Sequence, residues 1–187
     1  MRKIIVALTF LLACTMPVIC MAESKEPQKV VTIDGFRGCK WGCSGDEIKN
    51  AEKGSAFIEY TKDYSGQKWN AIVINGADVG GYSATAVYLL ADGKLEAGGY
   101  GKFNAENKQN TTDALLNKYK AVYEEPTSTG QGSDGKSALW LDENQNFILL
   151  FGLPGIVYYK ANSNAIKPFF DIASIGEKYG IKLEDVS

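Results

Sequence analysis

The chain has 187 residues, with 20 lysines and arginines against 22 aspartates and glutamates, and it contains no histidine. Without an imidazole, Ser-His-Asp and Cys-His nucleophilic catalysis, histidine general acid–base chemistry, haem ligation by histidine and the usual zinc sites are excluded. A mildly acidic chain whose arginines are Arg2 and Arg37, with no basic run, also lacks the cationic face that nucleic-acid binding requires.

The first 22 residues read as an export signal. Arg2 and Lys3 form a charged start, and the apolar run from Ile4 to Ala13 is too short to span a bilayer. Two processing routes compete. Cys20-Met21-Ala22 offers small residues to a signal peptidase, leaving Glu23 as the new terminus, a route favoured by Pro17 and the polar Glu23-Ser24-Lys25-Glu26. Leu11-Leu12-Ala13-Cys14 instead resembles a lipobox, which would attach the protein to a membrane through Cys14. Either product is periplasmic or secreted in topology. Cleavage after Ala22 removes Met1, Met16 and Met21, so the mature chain would hold neither imidazole nor thioether. Its length suits one domain with a real core.

Residues 23–34 form a polar lead-in containing Pro27, with a short strand expected over Val30–Ile33. Phe36 to Ile48 then reads as a strand that stops at a glycine turn and feeds a helix. Ser44 is an N-cap residue and Glu47 completes a capping box. Cys43 and Ile48 occupy the positions of a hydrophobic staple, and the helix is expected to run to about Lys53, with Gly54 just past its end. Strands are expected over Ala56–Tyr60 and Trp69–Ile74, the second ended by Asn75-Gly76. Two more, Tyr82–Leu90 and Leu95–Phe103, are joined by Asp92-Gly93, a strong hairpin signal because both turn residues need positive φ. Gly98, Gly99 and Gly101 lack P-loop spacing. They imply a bulge, or a helix packing close against a bare strand face.

A second helix is expected from Asn110-Thr111-Thr112-Asp113 to Pro126. Its apolar stripe is Leu115, Leu116, Tyr119, Val122 and Tyr123. Thr127 to Gly135 reads as a flexible loop. Ala138–Leu141 and Phe147–Phe151 flank a turn at Asp142 to Asn146, and Pro154-Gly155 leads into Ile156–Tyr159. Pro168–Gly180 carries apolar residues at near-helical spacing, so residues 162–187 read as a C-terminal helical segment packed on or trailing the domain at 35–161. A capped helix followed by antiparallel strands occurs twice, from Ser44 to Phe103 and from Thr111 to Tyr159. Strands grouped between helices predict an α+β fold: an antiparallel sheet with helices on one face, built from two copies of a helix-then-strands unit.

Phe36-Arg37-Gly38, Trp41-Gly42, Ser44 and Glu47-Ile48 resemble the R-G-x-x-W-G-x-S-x-x-E-V opening of uncharacterised bacterial exported proteins, many of them lipoproteins. Asp92-Gly93-Lys94-Leu95 and Lys118-Tyr119 are similar to that family's continuation. The fold also resembles the helix-plus-sheet repeat of β-lactamase-inhibitor-like proteins and small outer-membrane assembly lipoproteins, an analogy of fold and not of function. Cys39, Cys43 and Lys120 depart from the pattern. The resemblance supplies no catalytic residues.

Cys39 and Cys43 are the cysteines left after processing, and in an oxidising compartment such a pair reads as a disulfide across the Trp41-Gly42 turn. A thiol-redox role is the alternative, because Cys43 precedes a helix N-terminus. Metal binding lacks a third ligand. Arg37 beside Trp41 either reads a carboxylate or aromatic ring, or pairs with a structural partner. Tyr82, Tyr88 and Tyr100, with Trp69, Trp140, Tyr158 and Tyr159, either pack the core or offer an aromatic face to a protein or glycan. Glu47 is explained by capping and Glu124/Glu125 by a solvated helix end, which weakens a small carboxylate-dependent hydrolase. The reading is a non-catalytic binding module of the bacterial envelope with no cofactor. Its partner would be an envelope protein or a small ligand, met through the sheet face, with Arg37, Trp41, Tyr82, Tyr88 and Tyr100 as binding residues, and through the 127–135 loop.

Overall fold

The computed structural model describes residues 32–64, 66–132, 135–152 and 155–165. Strands β1 (Gly35–Phe36) and β2 (Cys39–Lys40) form a short hairpin ahead of helix α1 (Gly45–Ala51). Strands β3 (Ile58–Tyr64), β4 (Gln67–Val79), β5 (Tyr82–Ala91) and β6 (Lys94–Gly101) follow. Then come helix α2 (Lys108–Tyr123) and strands β7 (Ser128–Gly132), β8 (Gly135–Leu141), β9 (Phe147–Phe151) and β10 (Gly155–Tyr159). From β3 onward all strands belong to one antiparallel sheet, in the order β3-β4-β5-β6-β10-β9-β8-β7. The fold is α+β and dominated by its sheet. β6 and β10 meet at its centre, Val157 opposite Gly99 and Tyr158 opposite Gly98.

Local chemistry explains most boundaries. Ser44 caps α1, its Oγ accepting from the Glu47 amide at 3.3 Å while the Ser44 amide donates to Glu47 Oε2 at 2.7 Å. Asp92 and Gly93 turn β5 into β6 with φ of 48° and 77°, the geometry a two-residue hairpin demands. The turn from β8 to β9 is tied by Asp142, whose Oδ1 accepts from the amides of Asn144 and Asn146 at 2.9 and 2.8 Å.

Four sequence expectations are corrected. The Asn75-Gly76 pair does not end β4; it forms a bulge between Ile74 and Ala77, with Gly76 at φ 71° and Asn75 accepting from Thr85 Oγ1 at 3.0 Å. The bulge keeps the strand in the ladder where a turn would have broken it. Helix α2 begins before Asn110, because Asn107 caps it by accepting from the Asn110 amide at 3.0 Å. Residues Ser128–Gly132 are not loop but an edge strand, with Thr129 opposite Ala138 and Gln131 opposite Lys136. Partner hydrogen bonds override a turn-like composition there. Thr32 and Ile33 are not in a strand; the Ile33 amide is held by Asp142 Oδ2 at 3.0 Å instead. The signal segment 1–22, Val30–Val31 and the Pro168–Gly180 helix lie outside the described residues.

Two apolar clusters occupy the two faces of the sheet. One gathers Phe36, Ile72, Tyr88, Leu90, Trp140 and Ile148, and receives Ile48 from α1 and Leu115 from α2. The other gathers Trp69, Leu89, Ala97, Val157 and Tyr159. Along β5 the alternation is plain: Ala86, Tyr88 and Leu90 enter the first, Leu89 and Ala91 the second. Central strands that bury both faces read as nearly continuous apolar runs, as β5 and β10 do.

Candidate functional site

The β1–β2 hairpin turns on Arg37 and Gly38, both left-handed at φ 49° and 79°. That turn drives Phe36 down onto the sheet. A Cβ on Gly98 would lie 2.2 Å from Phe36 Cδ1, so the glycine is the floor that lets this ring in. Around it stand Tyr88 and Tyr100, each with its ring centroid at 4.9 Å, and Tyr158 at 5.0 Å. The close approach at Gly98 is therefore made by an aromatic side chain of the β1–β2 hairpin and not by the expected helix.

The same turn aims Arg37 at Glu52, the C-cap of α1. Nε meets Oε1 at 2.5 Å and Nη2 meets Oε2 at 2.9 Å, a bidentate pair. Arg37 Nη1 also donates to the Asp78 carbonyl at 3.3 Å and to Tyr100 Oη at 3.4 Å, and the Tyr88 hydroxyl donates to Glu52 Oε1. The Arg37 hydrogen bonds hold the Glu52 carboxyl below its ordinary range against the opposing effect of burial. Burial, followed by the bond to Glu52, pushes the Tyr88 hydroxyl up. Arg37 is raised, first by its bond to Glu52. Every member of this network stays in its ordinary charge state at neutral pH.

Cys39 and Cys43 are free thiols, Cys39 buried and Cys43 half-buried. The turn expected between them is present: the Cys43 amide donates to the Lys40 carbonyl at 3.0 Å and Gly42 has φ 86°. The thiols lie within hydrogen-bonding reach of each other, and burial, with Cys43 beside it, pushes Cys39 up to about 11. The expected disulfide is not formed in the structure.

Beyond Tyr100 the aromatic cluster continues to α2. Tyr158 Oη and Tyr119 Oη share a hydrogen bond at 2.5 Å, and the Tyr123 hydroxyl is within reach of Tyr158. Burial raises all three above the ordinary phenol range, so they are neutral hydroxyls at physiological pH. Trp140 fixes the helix end by donating to the Glu124 carbonyl at 3.1 Å. Over these rings opens a cleft of about 240 Å³ between α2 and the Gly80-Gly81 turn that joins β4 to β5. Tyr119, Tyr123 and Tyr158 form its inner surface, and Leu115, Val122 and Lys118 its helix side. Val122 is 60 % exposed, the large apolar side chain left open among the described residues.

Family models, curated proteins and solved structures were compared with the chain, and none matches it.

The sequence-predicted residues divide. Arg37, Tyr88 and Tyr100 come together in one network, but Tyr88 is 0 % exposed and Tyr100 is buried under Phe36. The bare aromatic strand face expected from the sequence is therefore filled at this point, and neither ring presents a surface to a partner. Trp41 is half-buried with its indole donating to the Ile33 carbonyl at 2.8 Å. Tyr82 is half-buried against the helix-side cluster. Glu52 and Gly80 were not singled out by sequence reasoning, and Lys118 entered it only through the family resemblance, not as a site residue. The adjacent glycines Gly80-Gly81 were the available signal, since both take positive φ, at 62° and 85°. Among the described residues no group of three or more cysteines, aspartates or glutamates is placed to hold a metal ion. No described helix is long and apolar enough to cross a membrane.

Proposed function

We propose that this chain is an exported bacterial envelope protein that binds a small ligand or partner without catalysing a reaction, and that it does so at the cleft beside α2. The observation that carries the reading is Val122, exposed at the mouth of a cleft lined by the buried Tyr119 and Tyr158 and the half-buried Tyr123. An apolar cleft with few convergent polar groups is the usual form of a small-molecule site. No carboxylate lines it, so a hydrolase reading draws no support from this cleft. Export is supported by the Arg2-Lys3 start and the apolar run after it, with lipidation at Cys14 as the membrane-anchored variant.

The finer architecture belongs to the same proposal. Helix α1 followed by β3–β6, and α2 followed by β7–β10, have the same element order. Ile48 and Leu115 enter the same apolar cluster. Two copies of one unit with both helices on one face account for this, in keeping with the β-lactamase-inhibitor-like resemblance. Binding is tested by fractionating an envelope extract over immobilised protein and over its Val122→Asp variant. Ligands retained by the first and lost by the second support the cleft. Equal retention of all components sinks it.

A thiol-redox role is the second reading, favoured by two adjacent free thiols of unequal exposure. Equilibration with glutathione buffers tests it. A Cys39–Cys43 couple well below about −300 mV would behave as a structural clip and reject the redox role.

A further inference from the structure

We infer that the α2 cleft takes a small carboxylate with an apolar body, an inference that rests on reading this cleft as the binding site. Three features define the ligand. The first is size. About 240 Å³ lies under the roughly 300–1,000 Å³ of clefts that take drug-sized ligands, so the occupant is a short chain or a single ring.

The second is charge. Lys118 is the one charged residue in the lining, and among the described residues no carboxylate lies in salt-bridge distance of it. Other lysines, such as Lys120 on Glu125 at 2.7 Å and Lys160 on Glu96 at 2.7 Å, are paired. The position of Lys118 is constrained. A Cβ on Gly80 would lie 2.8 Å from Lys118 Cδ and 3.5 Å from its Cε, so the lysine stem lies over the glycine turn.

The third is the hydroxyl count. Tyr119, Tyr123 and Tyr158 carry three donor protons between them. The Tyr119–Tyr158 hydrogen bond uses one of them, so the set can still donate to an acceptor. The Lys118 ammonium and a neutral tyrosine hydroxyl suit the two oxygens of one carboxylate, while Leu115 and Val122 cover its hydrocarbon part.

The test is an amide-resolved NMR titration of the purified protein with 3-phenylpropionate and, separately, its neutral analogue 3-phenylpropanamide. The carboxylate should shift the Gly80, Leu115, Lys118 and Val122 amides saturably and bind about tenfold more tightly than the amide, a difference of ~1.4 kcal/mol. Lys118→Met, at an exposed position, keeps the stem and removes the charge, and should bring the two affinities together. Equal binding of acid and amide at the cleft would overturn the carboxylate assignment and leave the cleft as a site. A preference that survives Lys118→Met would also overturn it. Shifts confined to other residues, or none with either compound, would remove both the assignment and the cleft reading beneath it.

Discussion

Arg37 and Glu52 lock the β1–β2 turn to the end of helix α1, through paired contacts of 2.5 and 2.9 Å between the turn and the helix C-cap. The two side chains are 19 % and 10 % exposed, so most of the pair is out of water. Arg37 holds a left-handed backbone that a non-glycine residue rarely adopts, and from that turn its fork engages Glu52.

Replacing Glu52 with Gln should therefore cost about 3 kcal/mol, because it leaves the Arg37 charge without its partner in a mostly buried site. Urea unfolding of wild type and variant measures it. A loss below a few tenths of a kcal/mol would mean that solvent already serves Arg37.

The same carboxylate sets a pH dependence. Its folded-state value lies below the unfolded one, chiefly because of the Arg37 hydrogen bonds. Its stabilisation is full above an unfolded value of about 4.3 and is lost as pH falls through the lower folded value. Stability measured against pH should fall on the acid side in wild type, and less steeply in Glu52→Gln. Parallel acid limbs would contradict the assignment.

Gly98→Ala places a methyl group against Phe36 and should destabilise the protein by about 1–3 kcal/mol through overpacking. Pairing it with Phe36→Leu should recover part of the loss, since the smaller side chain makes room. Strict additivity in a double-mutant cycle would show that the two positions do not touch.

Asp142 accepts four bonds: from the Asn144 and Asn146 amides, from Asn146 Nδ2 at 2.9 Å, and from the distant Ile33 amide at 3.0 Å. Asp142→Ala strands these donors and should cost about 3 kcal/mol. Hydrogen exchange at Ile33 should accelerate selectively. Unchanged protection at Ile33 would mean that its bond is not limiting.

Native protein treated with iodoacetamide at pH 8 should label at Cys43 and not at Cys39, whose thiol is buried and pushed up to about 11. Both should label in urea. Diamide should instead join the two thiols with loss of two hydrogens, read by intact mass. Equal native labelling would show that the β1–β2 hairpin opens freely.

The sequence determined what depends on neighbours along the chain. Ser44 and Glu47 lie three residues apart, so their capping box is legible before any fold is known, and Asp92-Gly93 specifies its own turn. The α+β class followed from the grouping of such segments, and the missing histidine limited the chemistry. Tertiary structure decided what depends on residues distant in sequence. Thr127 to Gly132 has the composition of a loop, and only the ladder with β8 makes a strand of Ser128–Gly132. In the sequence, Tyr88 and Tyr100 suited core packing, with a binding surface as the alternative. Phe36, brought onto Gly98 by a turn far away in sequence, buried them. The cleft was hidden for the same reason. Leu115, Tyr119 and Val122 form one helical stripe in the sequence, but the sheet covers the first two and leaves Val122 open, because burial is fixed by what packs opposite each side chain.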